Sequence, residues 1–332
     1  MSRILVTGAS GQVGSALTLA LAEQGHSVRV LLRENAWHPV LAQVPADQLE
    51  VVRGNLLNAK AIDRAVAGCE RVFHVAGSIS YLPQNTWQMQ QVNVNATELL
   101  VQAALRHGVE RFVHTSSTAA IGYSQRPEPL DETHQLTPQL KAVGYLRTKA
   151  EAETRVKGGV KQGLLACMVN PSTILGSGDT KGNSAAMYQQ VDQGKVLAPP
   201  GGSAVVSLPK VIEGHLLAME QLRPEIAGER FILSSFNWSY RQLFSALAQA
   251  RGKNLKSIPQ IPRWSKPLLK SAGTLAARLK PEIGLSGEVI DFSFAYRYYQ
   301  AHKAIEQLGW QPDTPEHMQK VLQNAFAFYD QV

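Results

Sequence analysis

The amino-acid sequence predicts an α/β protein: a doubly wound parallel sheet with helices on both faces, joined to a smaller, mostly helical C-terminal part. Three observations predict it. Short apolar runs alternate with helically spaced apolar residues from Ile4 to about Asn170, the pattern of parallel strands joined by crossover helices. A glycine-rich turn links the first apolar run to the first helix. Beyond Pro171 the rhythm changes. With 332 residues, 44% hydrophobic and 18% charged, the chain is long enough for one large core and a smaller second unit.

Ile4 to Val6 reads as a buried strand, and Val13, Ala16, Leu17, Ala20 and Leu21 then repeat at helical spacing. Between them lie Gly8, Ser10, Gly11, Gln12 and Gly14. A strand-to-helix turn for a dinucleotide needs such glycines: one to reverse the chain, one to let backbone approach a pyrophosphate, one to pack helix on strand. The helix N-terminus adds free N–H groups and a partial positive charge.

Strands follow at Ser27 to Arg33, Leu49 to Arg53, Arg71 to Ala76, Arg111 to Ser116 and Leu164 to Asn170. Helices are expected at Ala59 to Ala67, Thr86 to His107 and from Val143 to Val156 or beyond. After Pro171, Gly176 to Asn183 reads as a loop, Ala185 to Gln193 as a helix and Ala198 to Gly202 as a turn. Pro209 opens a helix to about Leu222. Phe231 to Ser234 is a strand candidate, and helices follow at Tyr240 to Arg251, His302 to Leu308 and Pro315 to Tyr329. The expected division is a nucleotide-binding part at 1–175, to which 209–235 returns, and a substrate-binding cap from 176–208 and 236–332.

Composition narrows the function classes. Cys69 and Cys167 are far apart in apolar contexts, as buried thiols of a reducing compartment are. No run reaches transmembrane length, and Thr7 to Ser15 is too polar for a leader's apolar core, so a cytoplasmic enzyme is expected. Net charge is +7, but eight basic residues and no acid fall between Arg251 and Lys280. The rest carries 25 basic residues against 26 acidic, which argues against a nucleic-acid-binding surface. His74 and His114 sit in or at the ends of strands and read as structural; no spacing suggests a metal.

Tyr145 and Lys149 stand four apart on an expected helix and so share one face. An ammonium beside a phenol favours the phenolate and lowers a pKa that is ordinarily about 10. Ser116 and Ser117, at the end of a strand, offer a hydroxyl for a substrate oxygen.

Taken together, Thr7-Gly8-x-x-Gly11-x-x-Gly14, His74-Val75-Ala76-Gly77, Asn93-Val94-Asn95-Ala96-Thr97, Thr115-Ser116-Ser117, Tyr145-x-x-x-Lys149 and Asn170-Pro171-Ser172 resemble the extended short-chain dehydrogenase/reductase family. The resemblance runs from Ile4 to about Gly178 and more loosely beyond. It implies a Rossmann domain for NAD(P), with Tyr145 as acid/base, Lys149 holding the nicotinamide ribose and tuning the tyrosine, and Ser117 orienting the reacting oxygen. Ser117 is preferred to Ser116 because it keeps the family's spacing to Gly122. Asn95 matches the family asparagine that supports the active-site helix and a proton relay; an ordinary buried amide is the alternative. Cofactor contacts are expected from Gly8, Ser10, Gly11, Gln12, Val13, Gly14, Arg33, Asn55, Leu56, Val75, Ala76, Gly77, Thr115, Tyr145, Lys149, Pro171 and Ser172. A homodimer through two long helices is the family precedent.

Arg33 closes the second strand where NAD-preferring members carry an acid, and a guanidinium there can clasp a 2′-phosphate, with help from Ser10. NADPH is therefore the preferred cofactor, NAD the alternative. Family dehydratases carry acids after the strand-five hydroxyl; this chain has Thr118-Ala119-Ala120. Sugar-nucleotide members show an arginine and acids where this chain reads Ala204-Val205-Val206-Ser207-Leu208-Pro209-Lys210. The nearest branch is that of dihydroflavonol reductases and 3β-hydroxysteroid dehydrogenases, which handle hydrophobic ketones and alcohols. The expected reaction is NADPH-dependent reduction of a hydrophobic ketone or aldehyde, reversible as alcohol oxidation. Alternatives are a sugar or sugar-nucleotide epimerase and a non-catalytic NADP-binding regulator.

Within 263–280, Trp264, Leu268, Ala272, Leu275 and Leu279 share one helical face, with Arg263, Lys266, Lys270 and Lys280 opposite. The first expectation is that the apolar stripe packs on the cap with the cations snorkelling outside. The alternative is a peripheral membrane contact.

Overall fold

The computed structural model describes residues 2–179, 183–255 and 257–330; residues 180–182 of the expected loop and Lys256 of the basic stretch lie outside the described residues. The strands are β1 (Arg3–Thr7), β2 (Ser27–Leu32), β3 (Leu49–Arg53), β4 (Arg71–His74), β5 (Arg111–Thr115), β6 (Ala166–Pro171), β7 (Thr173–Leu175), β8 (Gly202–Ser207), β9 (Arg230–Leu233), β10 (Phe236–Ser239) and β11 (Tyr296–Arg297). Seven of them form one parallel sheet in the order β3-β2-β1-β4-β5-β6-β9.

Alternation along β1 shows how the sheet divides the core. Ile4 and Val6 join one apolar cluster with Leu17 and Leu21 of the helix Gln12–Glu23 and Val211 of the helix Leu208–Gln221. Leu5 faces the other cluster, with Ile62, Leu100 and Val156 from the helices Ala59–Val66, Ala96–Arg106 and Gly144–Lys161. Strands covered on both faces read as continuous apolar runs, which is why they stand out in the sequence. The chain winds outward from β1 to β3 and then returns to the other side of β1 at β4, opening a crevice at the strands' carboxyl ends.

The C-terminal half holds a second sheet. β8 pairs with β7 and β11 in parallel and with β10 antiparallel. β8 is wholly buried, yet glycine and serine at 202, 203 and 207 interrupt its apolar run and hide it from sequence patterning. β9 and the helix Leu208–Gln221 belong to the main sheet's layers, whereas the helices Asn183–Asp192, Tyr240–Ala250 and Pro315–Tyr329 contribute to a separate apolar cluster.

The helix Lys266–Leu279 overturns the first expectation for its stripe. Only Gly273 and Ala277 are buried, and a Cβ on Gly273 would lie 2.9 Å from the Ser286 carbonyl oxygen. Lys266 and Lys270 turn inward to Asp291 at 3.1 and 2.6 Å. Small residues and two inward salt bridges roll the helix so that Trp264, Leu268, Leu275 and Leu279 face solvent, 75%, 70%, 57% and 71% exposed. No helix among the described residues is long and apolar enough to cross a membrane.

Buried histidines tie the strand ends together. His74 lies between the hydroxyls of Thr7 (2.8 Å) and Thr97 (2.9 Å), and His215 between the Thr115 hydroxyl and the Val211 carbonyl, both 2.7 Å. Burial pushes His74 down to about 3, His215 to about 4 and His114 well below the ordinary range. These rings stay neutral in the fold, while the unfolded chain takes up protons below about pH 6.5. Stability is thus fully present above that pH and is lost as pH falls toward the folded values. The unfolding free energy from urea titration, and with it the midpoint, is expected to drop between about pH 7 and pH 5, the free energy approaching a slope of about 1.4 kcal/mol per pH unit per histidine. A midpoint constant over that interval would contradict neutral burial.

Candidate active site

The first turn is built by contact limits. Gly8 has φ +76°, and a Cβ there would sit 2.6 Å from the Ala76 nitrogen; one on Gly14 would sit 2.3 Å from the Gly8 oxygen. The helix that follows has no side-chain N-cap and no acid in its first turn, so its leading N–H groups are free for an anion.

A cleft of about 930 Å³ runs along the carboxyl ends of the strands. Gly8, Ser10, Gly11, Gln12, Val13 and Gly14 line it after β1, Arg33 after β2, and Asn55 and Leu56 after β3. Val75, Ala76 and Gly77 follow β4; Thr115, Ser117, Tyr145, Lys149, Pro171 and Ser172 complete that wall. The Arg33 side chain is exposed at the rim, while Arg53 donates to the Arg33 and Ala36 carbonyls, both at 2.9 Å, and braces the loop. Close backbone approach at the glycine turn, an uncapped helix start and an arginine at the rim fit a dinucleotide with its phosphates at that end.

Tyr145 and Lys149 occupy the first two turns of the helix Gly144–Lys161, both buried. Lys149 Nζ donates to the Thr115 carbonyl at 2.9 Å. Ser116 and Ser117 have different tasks. Ser116 Oγ donates to Glu153 at 2.6 Å and is buried, whereas Ser117 Oγ accepts from the Ala119 N–H at 3.1 Å and lines the cleft with Tyr145.

The electrostatics differ from the sequence expectation for the tyrosine. Burial raises the Tyr145 phenol, opposed by the Ser117 hydrogen bond. Burial also brings Lys149 down to about 8, opposed by Glu153. Loss of solvent around the phenolate outweighs the Ser117 hydroxyl, and no lysine influence lowers it, so Tyr145 is a neutral phenol at pH 7.

Asn95 requires a correction. Its side chain is exposed and donates to Gln91 at 3.0 Å, away from the cleft. The expected helix over 86–107 contains a wide π turn, Gln90–Asn95, between Thr86–Met89 and Ala96–Arg106. Asn93 faces inward instead: it accepts from Ser78 N–H at 2.7 Å and donates to the Ser78 carbonyl at 2.9 Å and Thr148 Oγ1 at 3.2 Å. Two residues on, Asn95 is carried round to the far side of the helix.

Sequence patterning also missed the aromatic end of the cleft. The Tyr81 ring stands edge-on to Tyr145 at 5.5 Å and 4.9 Å from Phe292. Arg297 lies over Phe292 at 4.0 Å, and Tyr299 donates to the Gly122 carbonyl at 2.6 Å. The run Tyr296-Arg297-Tyr298-Tyr299 was the available signal, but no periodicity ties it to the site.

The chain matches the NAD dependent epimerase/dehydratase family over residues 4–231 and belongs to it. Sterol demethylase protein B of Methylococcus capsulatus is 30% identical over 280 residues, 83% of each chain. The 3-beta-hydroxysteroid dehydrogenase of Mycolicibacterium neoaurum is 35% identical over 243 residues, 68% of this chain and 62% of that protein. The crystal structure of gox2253 superposes with a TM-score of 0.83 at 28% identity, covering 100% of this chain and 98% of the other. The protein is an NAD(P)-dependent oxidoreductase acting on a CH–OH group.

Gly14→Ala places a methyl against the Gly8 carbonyl and is expected to weaken nicotinamide nucleotide binding by at least about tenfold. Fluorescence titration measures it; unchanged affinity would show that the turn does not hold the nucleotide.

Proposed function

We propose that this member of the epimerase/dehydratase family reduces a hydrophobic ketone or aldehyde with NADPH, and oxidises the corresponding alcohol in reverse. The observation that carries the reading is that Ser117 and buried Tyr145 line the same cleft as Lys149, at an end walled by Tyr81, Phe292 and Tyr299. The steroid and sterol names of two relatives fit such a wall. β8 supports it by exclusion. Where an arginine and acids would clamp a sugar nucleotide, residues 204–207 are buried strand.

A bound nicotinamide supplies the hydride chemistry; Tyr145, Lys149, Thr115 and the turn at Gly8–Gly14 would hold it. Ser117 Oγ, fixed by the Ala119 N–H, holds the substrate oxygen. Tyr145, kept neutral by burial, gives that oxygen its proton. In reverse the same phenol must first lose its proton, so alcohol oxidation favours higher pH. No acid follows Ser117 to drive elimination: Thr118, Ala119 and Ala120 are buried.

Arg33, exposed at the rim beside Ser10, supports the choice of NADPH through a guanidinium–phosphate contact.

Tyr145→Phe is expected to lower turnover by about 10²-fold or more while leaving nucleotide affinity nearly intact. Near-normal turnover on a ketone panel would remove Tyr145 from the chemistry. Arg33→Ser should weaken NADPH binding by about tenfold and NADH binding little. Equal losses for the two nucleotides would count against a 2′-phosphate contact.

A further inference from the structure

We propose that Arg297 makes the substrate end of the cleft a receptor for a carboxylate, so that the ketone or alcohol presented to Ser117 and Tyr145 carries an acid group. The proposal rests on the reductase reading of the same site and narrows its substrate class.

Arg297 is held from two sides. Its strand pairs with β8, Arg297 opposite Ser203, and its Nη2 donates to the Tyr240 hydroxyl at 2.6 Å. The guanidinium lies 4.0 Å over Phe292, in the aromatic wall that reaches Tyr145 through Tyr81. Nε is buried with no hydrogen-bond partner. No carboxylate among the described residues forms an ion pair with it. Asp291, on the helix Gly287–Phe294 that supplies Phe292, pairs with Lys266 and Lys270 instead.

Most of this enclosure consists of phenols and a phenyl ring. The phenols hold the guanidinium in its charged form and two ring faces support it, but none carries a full negative charge, so an anion entering with the substrate meets an unpaired cation. A guanidinium matches a carboxylate's two oxygens. The cleft's other lining cations are Lys149, bound to the Thr115 carbonyl, and Arg33 at the rim. One guanidinium alone suits a single negative charge better than a diphosphate.

The test uses purified protein with NADPH, and 3-oxodecanoate and 5-oxodecanoate, each against its methyl ester. The free acids are expected to show at least about tenfold higher kcat/KM than the esters. Arg297→Met should abolish that acid-over-ester preference, read as a ratio of kcat/KM within each variant, and Arg297→Lys should restore part of it. Equal use of acid and ester by the natural protein, or a preference that survives in Arg297→Met, overturns the proposal and leaves the reductase reading standing. If no ketone is consumed, the reductase reading fails. Octanoate against octanamide binding to the NADPH complex, by calorimetry, then decides the anion site. Carboxylate-selective binding lost in Arg297→Met supports it, and equal affinity overturns it. UDP-glucose binding more tightly than every oxo acid would also overturn it.

The helix Lys266–Leu279 carries a second assignment on separate grounds. We infer that it docks on an anionic lipid surface. Trp264, Leu268, Leu275, Leu279 and Ile283 form an apolar strip, each more than half exposed, flanked by Arg278 and Lys280, for which no acid partner is found among the described residues. Residues 251–280 hold no acid, and Glu282 beside Ile283 is the exception at the strip's end, so a second copy of this face would meet mainly like charge, whereas anionic headgroups complement it.

Co-sedimentation with phosphatidylcholine vesicles containing about 30 mol% phosphatidylglycerol should pellet the protein, and plain phosphatidylcholine should not. Binding should weaken in about 0.5 M salt and be lost in Leu275→Glu/Leu279→Glu, with NADPH affinity unchanged. Failure to pellet overturns the assignment. So does a dimer in sedimentation velocity that the double variant disperses, since a second copy would then cover the strip.

Discussion

The geometry of the proposed site depends on one buried carboxylate. Glu153 lies one turn beyond Lys149 on the same helix and is 3% exposed. It accepts from Ser116 Oγ and Asn170 Nδ2, each at 2.6 Å, and pairs with Arg230 at 3.2 Å. Those partners sit after β5, in β6 and in β9, so a single side chain fastens the helix bearing Tyr145 and Lys149 across three strands. Asn170 Nδ2 also donates to the Ser117 carbonyl at 3.0 Å, which fixes the backbone of the remaining residue of the proposed site. A buried ion pair is weak evidence of net stabilisation, but breaking one is strongly destabilising. Here the pair acts chiefly as a register lock.

The same lock explains why the serine pair divides as it does. Adjacent residues leaving a strand point to opposite sides, so only one hydroxyl can reach the helix carboxylate. Ser116 is committed to Glu153, and Ser117 is left for the cleft. It also shapes Lys149, since the carboxylate one turn away opposes the desolvation of a buried ammonium. Tyr145 has no such support and keeps its proton.

How much of this was legible in the sequence follows from distance along the chain. The glycine turn, the strand ends and the Tyr145–Lys149 pair are local features, with period and spacing that survive translation into structure. Asn95 and Asn93 are local too, but two asparagines two residues apart carry no mark of which faces inward, and a π turn shifts the phase. β8, β11 and Arg297 lie beyond local rules. β11 is two residues long and takes its place by pairing with a strand nearly a hundred residues earlier and with Ser124, farther back still. Charge balance misled in the same way: Lys266 and Lys270 read as outward cations until Asp291, more than twenty residues on, draws them in.

That inward pull links the two ends of the C-terminal architecture. Asp291 neighbours Phe292 on one short helix. By engaging two lysines it anchors the helix Lys266–Leu279 and so sets the orientation of the exposed strip. The next side chain, Phe292, lies under the Arg297 guanidinium, so the same short helix supplies the ring on which that cation rests. The exposed strip and the aromatic seat of Arg297 are therefore two consequences of where one short helix is docked.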